Sequence, residues 1–337
     1  MSYNPKYSIL DDMDDDIMLG HNDDENLKNP HTEGRGNFWP SMASIQYTRD
    51  EVDGSKTVVT EGNCLRRSFY SMTSETVTEL PDCKTIDLWE FGSALEDLYQ
   101  TRLGNMSKWR LIYPSFRGNK LRFFNKERNI SGEVDLVVEN KATKEQVGIE
   151  IKTYYGPYAA MEVAGYTQAS EMYAASTFPY IKVNDPRRSA EPMPKMPNLL
   201  QTCLYLEEFW NDIKVFKIIY LARDRGPRAE FDITLTEVGG KRCANVNGTV
   251  LPHINLEGIH ERFHKVKDAV DNGVTPPGDF VPEYTDDEVT QRIEDGDLPK
   301  SAEKLLKNGE IFRDWQCKFC PYLSKCLVEQ DKQTSIF

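Results

Sequence analysis

The sequence contains no long apolar run. None of its apolar stretches approaches the roughly 20 residues that a membrane-spanning helix needs. The N-terminus also lacks the basic-then-apolar pattern of a secretory signal peptide. We therefore expect a cytoplasmic protein, in a bacterium or in a virus-infected host cell. Hydrophobic residues make up 39% of the 337 positions, which is enough to build a core.

An excess of positive charge is also missing. The formal net charge is −13, which argues against a protein that coats nucleic acid non-specifically. A nucleic-acid enzyme remains compatible with this charge, because an acidic chain can keep a local basic groove and catalytic metals offset carboxylates. Residues 1–40 are polar and strongly acidic, and they predict a mostly disordered tail. The alternative is an acidic arm that mimics nucleic acid or docks a protein partner.

The order of the apolar patterns predicts an α/β fold. Residues 87–103 have apolar side chains at 88, 91, 95 and 98, which predicts a helix with one buried face. Several strands follow, and then a second helix, another strand pair and a third helix occur in the segments "PNLLQTCLYLEEFWNDI", "VFKIIYLARD", "AEFDITLT" and "HERFHKVKDAVDNG". This order predicts a mixed sheet with helices on its faces.

We divide the chain into four parts. Residues 1–40 form the acidic tail, and 41–85 form an N-terminal segment. Residues 86–270 form the α/β core, with 156–197 as an insertion, and 271–337 form a linker and a cysteine-containing C-terminal segment.

A predicted hairpin carries charges among aliphatic residues. In "GEVDLVVENKATKEQVGIEIKTYYG", two strands flank the polar turn "NKATKEQ". Side chains alternate between faces along a strand, so Asp135 and Glu150 can converge, with Lys152 one step further along. Charges in buried strands are costly unless they pair or hold a metal.

Two converging carboxylates suit Mg²⁺ or Mn²⁺, which prefer oxygen ligands and usually keep several waters. A neighbouring lysine can orient or help to deprotonate an attacking water and offset developing negative charge. This set fits metal-assisted hydrolysis of phosphodiesters. The alternative is an ordinary amphipathic hairpin with salt bridges on its solvent face.

The stretch "GEVDLVVE…GIEIKTY" resembles the core of the P-D-(D/E)-x-K nuclease superfamily, in its RecB-like branch. The resemblance implies a restriction-endonuclease-like sheet flanked by helices. It also implies that Asp135, Glu150 and the main-chain carbonyl of Ile151 bind metal, with Lys152 as the catalytic lysine.

The RecB-like branch also has an upstream helix of pattern G-x-x-x-H. Here Gly92 is followed four residues later by Glu96, which replaces the histidine. A carboxylate is a good Mg²⁺ or Mn²⁺ ligand, so the resemblance implies that Glu96 completes the metal site. The alternative is an exposed helix glutamate.

The branch further has Q-x-x-x-Y on a later helix. Gln201 and Tyr205 match that pattern and lie one turn apart on one helix face. Their amide and phenol groups are candidates for binding a DNA phosphate or holding the catalytic lysine. The separation between Lys152 and Gln201 is longer than expected, and the excess is the 156–197 insertion.

Seven cysteines in this kind of chain point to metal or redox use before disulfides. Three of them, Cys317, Cys320 and Cys326, are close enough in sequence for one metal centre. Together with Cys64 they resemble the ligands of RecB-like iron–sulfur nucleases, such as the CRISPR-associated and AddB-type exonucleases. The resemblance implies a structural 4Fe–4S cluster that joins the N- and C-terminal segments, with Zn²⁺ as the alternative. Leu65 follows Cys64 where the family usually has proline.

Two arginines and two tyrosines are candidates for nucleic-acid contacts. Arg66 and Arg67 follow Cys64 and would contact phosphates, unless they are ordinary surface arginines. Tyr154 and Tyr155 follow the E-x-K motif and would stack on bases, unless they pack within the sheet; Tyr154 is the first candidate.

The motifs together predict a metal-dependent DNase, most simply an exonuclease on single-stranded or end-bearing DNA. Its pathway would be recombination, repair or viral genome processing. Two alternatives stay open. One is a catalytically inactive module that keeps the nuclease fold for DNA binding or assembly, and the other is a restriction-type endonuclease.

Overall fold

The computed structural model describes residues 36–334 except 52–53, 74, 76, 80, 115–119, 167, 169, 171, 173–190 and 224–227. Most of the predicted acidic tail and the middle of the predicted insertion lie outside these residues. The described chain divides into two compact units. We call residues 37–63 and 85–265 the sheet unit, and residues 64–84 and 266–334 the cysteine unit.

The described strands all belong to the sheet unit. They are β1 (Ser44–Asp50), β2 (Lys56–Gly62), β3 (Trp109–Tyr113), β4 (Leu121–Asn125), β5 (Ile130–Val134), β6 (Leu136–Asn140), β7 (Gln146–Tyr154), β8 (Ile213–Ala222), β9 (Ala229–Val238), β10 (Lys241–Val246) and β11 (Thr249–Asn255).

The described helices are α1 (Leu65–Met72), α2 (Cys83–Gly104), α3 (Pro157–Ala164), α4 (Met196–Glu208), α5 (Leu256–Asn272), α6 (Asp286–Glu294), α7 (Ala302–Lys307), α8 (Trp315–Lys318) and α9 (Leu323–Thr334). No helix in the described part of the chain is long and apolar enough to cross a membrane.

Seven strands form the main sheet, in the order β11-β10-β9-β8-β7-β6-β3. Strands β7 and β8 are parallel, and the other neighbours are antiparallel. A parallel pair needs a crossover connection, and the segment that carries α3 and α4 supplies it here. The strands β1 and β2 form a separate hairpin, as do β4 and β5.

Helices flank the main sheet. Tyr99 and Leu103 of α2 pack on an apolar cluster that includes Ile149 and Ile151 of β7. Helix α4 packs against β8 and β9, and its Tyr205 stacks on Phe216 of β8. The sheet unit is therefore a mixed α/β structure with a large mixed sheet between helices, which confirms the predicted α/β class.

The predicted buried face of α2 is wrong. Leu88, Phe91 and Leu98 are 38%, 51% and 43% exposed, whereas Tyr99 and Leu103 pack inward. Apolar residues occur all around this helix, so their spacing alone does not identify the face that meets the sheet.

The predicted tail extends too far. Phe38 is buried, bridges to Ile130 and packs its ring 4.7 Å from that of Phe263. Pro40 is also buried, at the start of a short 3₁₀ helix that ends at Met42. Ordered structure in the described chain therefore begins before residue 40, because an aromatic side chain at position 38 belongs to the core.

Candidate active site

Asp135 lies at a break between two strands that the sequence predicted as one. Strand β5 ends at Val134 and pairs with β4, while β6 begins at Leu136 and pairs with β7. The side-chain Oδ2 of Asp135 accepts a hydrogen bond from the N–H of Ile151 at 3.0 Å. The hydrogen bond therefore holds Asp135 against β7, within the E-x-K motif.

Glu150 is buried in the middle of β7, with only 1% of its surface exposed. Its Oε1 accepts a hydrogen bond from Gln201 Nε2 at 2.9 Å and lies 2.5 Å from Lys152 Nζ. Its Oε2 is buried and has no hydrogen-bond partner among the described residues. A buried carboxylate oxygen without a donor is costly, so this atom marks a place that a cation would fill.

The charge of Glu150 disfavours the charged form of Asp135. Burial, followed by the charge of Glu150, raises the pKa of Asp135 to about 7, although Lys152 and the Ile151 N–H act in the opposite direction. A cation placed between the two carboxylates would remove this unfavourable interaction.

Lys152 carries positive charge into the same site. Burial lowers its pKa, but the charges of Glu150 and Asp135, the hydrogen bond to Glu150 and the charge of Glu96 raise it further, so the net pKa is raised. Lys152 is therefore an ammonium at neutral pH in the metal-free protein. It therefore serves as a hydrogen-bond donor and as a positive charge that offsets negative charge. Deprotonation of the attacking water, the other role that the sequence suggested, would need a neutral amine.

Helix α2 brings Glu96 towards the site. Gly92 and Glu96 lie on the helix face that also carries Tyr99 and Leu103, which pack on the sheet. A side chain at Gly92 would place its Cβ 3.4 Å from Thr153 Oγ1, so α2 approaches β7 closely next to Lys152. Glu96 is half-buried, and its charge acts on Lys152.

Gln201 and Tyr205 bind the protein itself. Gln201 Nε2 donates to Glu150 Oε1 and, at 3.0 Å, to the Tyr205 hydroxyl. The Tyr205 hydroxyl donates to the main-chain carbonyl of Glu133 at 2.8 Å. The pair therefore orients Glu150, whereas the sequence suggested a phosphate contact or support of the lysine.

The carboxylate pair fits a hard divalent cation. Within the described residues, no group of three or more His, Cys, Asp or Glu side chains is arranged to hold a metal ion. Mg²⁺, however, is commonly bound through one or two carboxylates and keeps several waters. Asp135 and Glu150 meet that requirement, and ligation by Glu96 and by the Ile151 carbonyl stays a prediction.

The four predicted cluster cysteines all belong to the cysteine unit. Cys64 precedes α1, Cys317 lies in α8, Cys320 follows it and Cys326 lies in α9. Burial, then the charges of Cys64, Cys320, Asp314 and Cys326 in decreasing order, raise the pKa of Cys317 to about 12. The thiols therefore lie near enough to act on one another. No three of them are arranged to hold a metal ion within the described residues, so a 4Fe–4S or Zn²⁺ centre stays a prediction.

Hydrogen bonds already hold the two segments of the cysteine unit together. The N–H of Leu65 donates to Asp279 Oδ2 at 2.7 Å, and the N–H of Thr78 donates to the Pro321 carbonyl at 2.8 Å. Lys325 forms an ion pair with Glu75. The unit is therefore built from both segments by contacts other than metal ligands.

Two of the residues predicted to contact nucleic acid, Arg66 and Tyr154, are buried and contact other residues of the protein instead. Arg66 is buried and donates to the Pro276 carbonyl at 3.1 Å and to Cys326 Sγ at 3.2 Å, so a phosphate contact is excluded in this conformation. Tyr154 is buried with its ring 6.3 Å from that of Tyr220, which leaves no face for a base. Arg67 is exposed, as a phosphate contact requires.

The sequence analysis missed two cations beside the site. Lys195 and Arg223 line the same cavity as Lys152. Arg223 directly follows β8, and β8 is parallel to β7, so the two strands end at the same edge of the sheet. Ligands of α/β sheets commonly bind at the carboxyl ends of parallel strands, and a basic residue just after β8 is the signal that indicates this position.

No family model matches the chain, and no curated protein matches it. Among solved structures, one titled "Crystal structure of SSO0001" is similar at 12% sequence identity, with 87% of this chain and 98% of that chain covered and a TM-score of 0.32. A likeness at this TM-score carries no argument about fold or function.

Proposed function

We propose that the protein is a Mg²⁺- or Mn²⁺-dependent nuclease that hydrolyses phosphodiester bonds in DNA. The proposal includes a restriction-endonuclease-like core of the RecB-like branch and exonuclease action on single-stranded or end-bearing DNA. The observation that carries it is the pair of half-buried Asp135 and buried Glu150, in which Glu150 Oε2 has no hydrogen-bond partner among the described residues and Lys152 contacts Glu150 Oε1. Such a group of charges inside a sheet is costly without a ligand.

Each residue has a distinct part in the proposed reaction. A divalent cation held by Asp135 and Glu150, with the Ile151 carbonyl and Glu96 as further ligands, would supply Lewis acidity to a water and to the scissile phosphate. The Lys152 ammonium offsets the negative charge that develops on the phosphate. Gln201 and Tyr205 hold Glu150 in one orientation through the hydrogen bonds described above.

Lys152→Ala is expected to lower Mn²⁺-dependent cleavage of end-labelled single-stranded DNA by at least about 100-fold, because it removes a charge aimed at the reacting phosphate. The matched control is Lys217→Ala. Lys217 is 24% exposed against 28% for Lys152 and also contacts two carboxylates, Glu230 and Asp232, at the neighbouring strand. Equal activity of Lys152→Ala and wild type would reject the catalytic assignment, whereas discrete cuts in closed circular DNA would indicate an endonuclease.

We further propose that Cys64, Cys317, Cys320 and Cys326 hold a structural 4Fe–4S cluster. Protein purified without oxygen is expected to be brown and to contain about four irons per chain. Cys317→Ser should lose colour and iron, whereas Cys203→Ser should keep both, because Cys203 is a buried residue of the sheet unit. Colourless wild-type protein with stoichiometric zinc would establish the zinc alternative.

A further inference from the structure

A cationic cavity adjoins the candidate active site. Its volume is about 360 Å³, and its lining includes Lys152, Lys195, Arg223 and Tyr155. No acidic side chain among the described residues lines it, although the exposed Glu162 pairs with Lys195 at 3.1 Å. Three basic side chains thus line a concave space in a chain whose net charge is −13. Lys152 is paired with Glu150 and Lys195 with Glu162, so the charge without a carboxylate partner among the described residues is that of Arg223, and it favours an anionic occupant.

Arg223 has an unused donor at this cavity. Its Nη1 donates to the main-chain carbonyl of Leu88 at 3.0 Å, which fixes the guanidinium. Its Nε is buried and has no hydrogen-bond acceptor among the described residues. Buried donors are nearly always satisfied, and the planar guanidinium suits phosphate oxygens. The missing acceptor is therefore well explained by a bound phosphate.

Aromatic surface lies at the same place. Tyr155 lines the cavity and is 66% exposed, and Tyr158, three residues later, is 82% exposed. Exposed aromatic rings beside a basic groove are the two components with which proteins bind single-stranded nucleic acid, through base stacking and backbone charge. Tyr154, between Lys152 and Tyr155 in the sequence, is buried and only supports this edge.

We propose that this cavity holds one nucleotide of a single DNA strand next to the scissile bond. Lys195 and Arg223 bind its phosphate, and Tyr155 stacks on its base. The inference rests on the proposed nuclease function and names the form of its substrate. A base stacked on Tyr155 has left its base pair, and the volume suits one nucleotide. Single-stranded DNA is therefore preferred over an intact duplex.

Binding in EDTA tests the cavity separately from catalysis. Fluorescence anisotropy with a labelled oligothymidylate should show tighter binding than with a blunt hairpin duplex. Tyr155→Ala and Lys195→Ala should each raise the Kd for the single strand about tenfold, and Tyr155→Phe should restore wild-type affinity because the ring remains. Lys265→Ala is the matched control, since Lys265 also pairs with a carboxylate, Glu261, at 2.8 Å on the surface.

The outcomes separate the two proposals. Wild-type affinity in both alanine variants, no binding by wild type, or equal affinity for duplex and single strand would overturn the cavity assignment, even if Lys152→Ala abolishes cleavage. Weaker binding in the variants together with a wild-type protein that never cleaves would support the cavity and reject the nuclease. The variants' melting temperatures should equal that of wild type, because Tyr155 and the side chain of Lys195 are exposed by 66% and 36%.

Discussion

Asp135→Asn is expected to abolish Mn²⁺-dependent hydrolysis and, at pH 8, to make the metal-free protein more stable than wild type. Asparagine is nearly the same size and keeps an oxygen that can accept the hydrogen bond from Ile151 N–H. It removes the half-buried charge beside Glu150. The substitution therefore separates two effects of the Asp135 charge: it lowers the stability of the metal-free protein, and it supports metal-dependent hydrolysis.

The sign of the effect follows from the pKa of Asp135. Burial and the charge of Glu150 raise that pKa from 3.8 to about 7 in the folded protein. Between these two values the folded state binds more protons than the unfolded state, so the free energy of unfolding falls as the pH rises from about 4 to 7. A shift of this size corresponds to about 4 kcal/mol at most, and we expect about 1–3 kcal/mol after relaxation of the site.

Thermal unfolding in EDTA at several pH values measures this difference. The Asp135→Asn variant should melt roughly 2–6 °C above wild type at pH 8, with the gap closing as the pH falls towards 4. Saturating Mn²⁺ should close or reverse the gap at pH 8, because only wild type binds the ion well. Asp232→Asn is the control: the side chain of Asp232 is 54% exposed, so this substitution should leave the melting temperature unchanged. A variant less stable than wild type at pH 8 in EDTA would contradict the assignment.

The convergence of the two carboxylates was predictable from local sequence. The polar turn after β6 fixes the register in which Leu136 faces Ile149, and one further step brings Asp135 beside Glu150. Alternation along β7 then assigns Glu150 and Lys152 to one face. Local pattern was sufficient because a short hairpin connection leaves little freedom in how its strands pair.

Contacts between segments that are far apart in the sequence could not be predicted from local patterns in this way. The apolar residues of α2 surround the helix, so only its packing on the sheet decides that Glu96 turns towards Lys152. The parallel pairing of β7 and β8 places Arg223 near Lys152, although the chain between them carries two helices. Tyr154 and Tyr155 both follow the E-x-K motif, and only the folded structure shows that Tyr154, the last residue of β7, is buried whereas Tyr155 is exposed. These features depend on tertiary packing, which overrides local preference.

Gly148→Ala is expected to destabilise the protein strongly and to reduce its activity, although residue 148 touches no substrate. Gly148 of β7 faces Phe216 of β8 across the parallel pair. An added Cβ would lie 2.2–2.4 Å from three atoms of the Phe216 ring, which is fully buried. The ring also stacks on Tyr205 at 5.8 Å and so cannot move without displacing the residue that supports Gln201 and Glu150. Overpacking of this kind costs about 1–3 kcal/mol or more.

A double variant tests whether the ring is the cause. Phe216→Leu creates space opposite residue 148, so Gly148→Ala/Phe216→Leu should unfold at higher denaturant concentration than Gly148→Ala alone, with a coupling of about 1–3 kcal/mol in the double-mutant cycle. Gly104→Ala is the matched control, since a Cβ at Gly104 would meet no atom within 4 Å and its backbone is not left-handed. Two results would show that β7 and β8 are not packed as described. One is a melting temperature of Gly148→Ala equal to that of wild type, and the other is a double variant no more stable than Gly148→Ala alone. In that case the support of Glu150 through Phe216, Tyr205 and Gln201 would have to be abandoned.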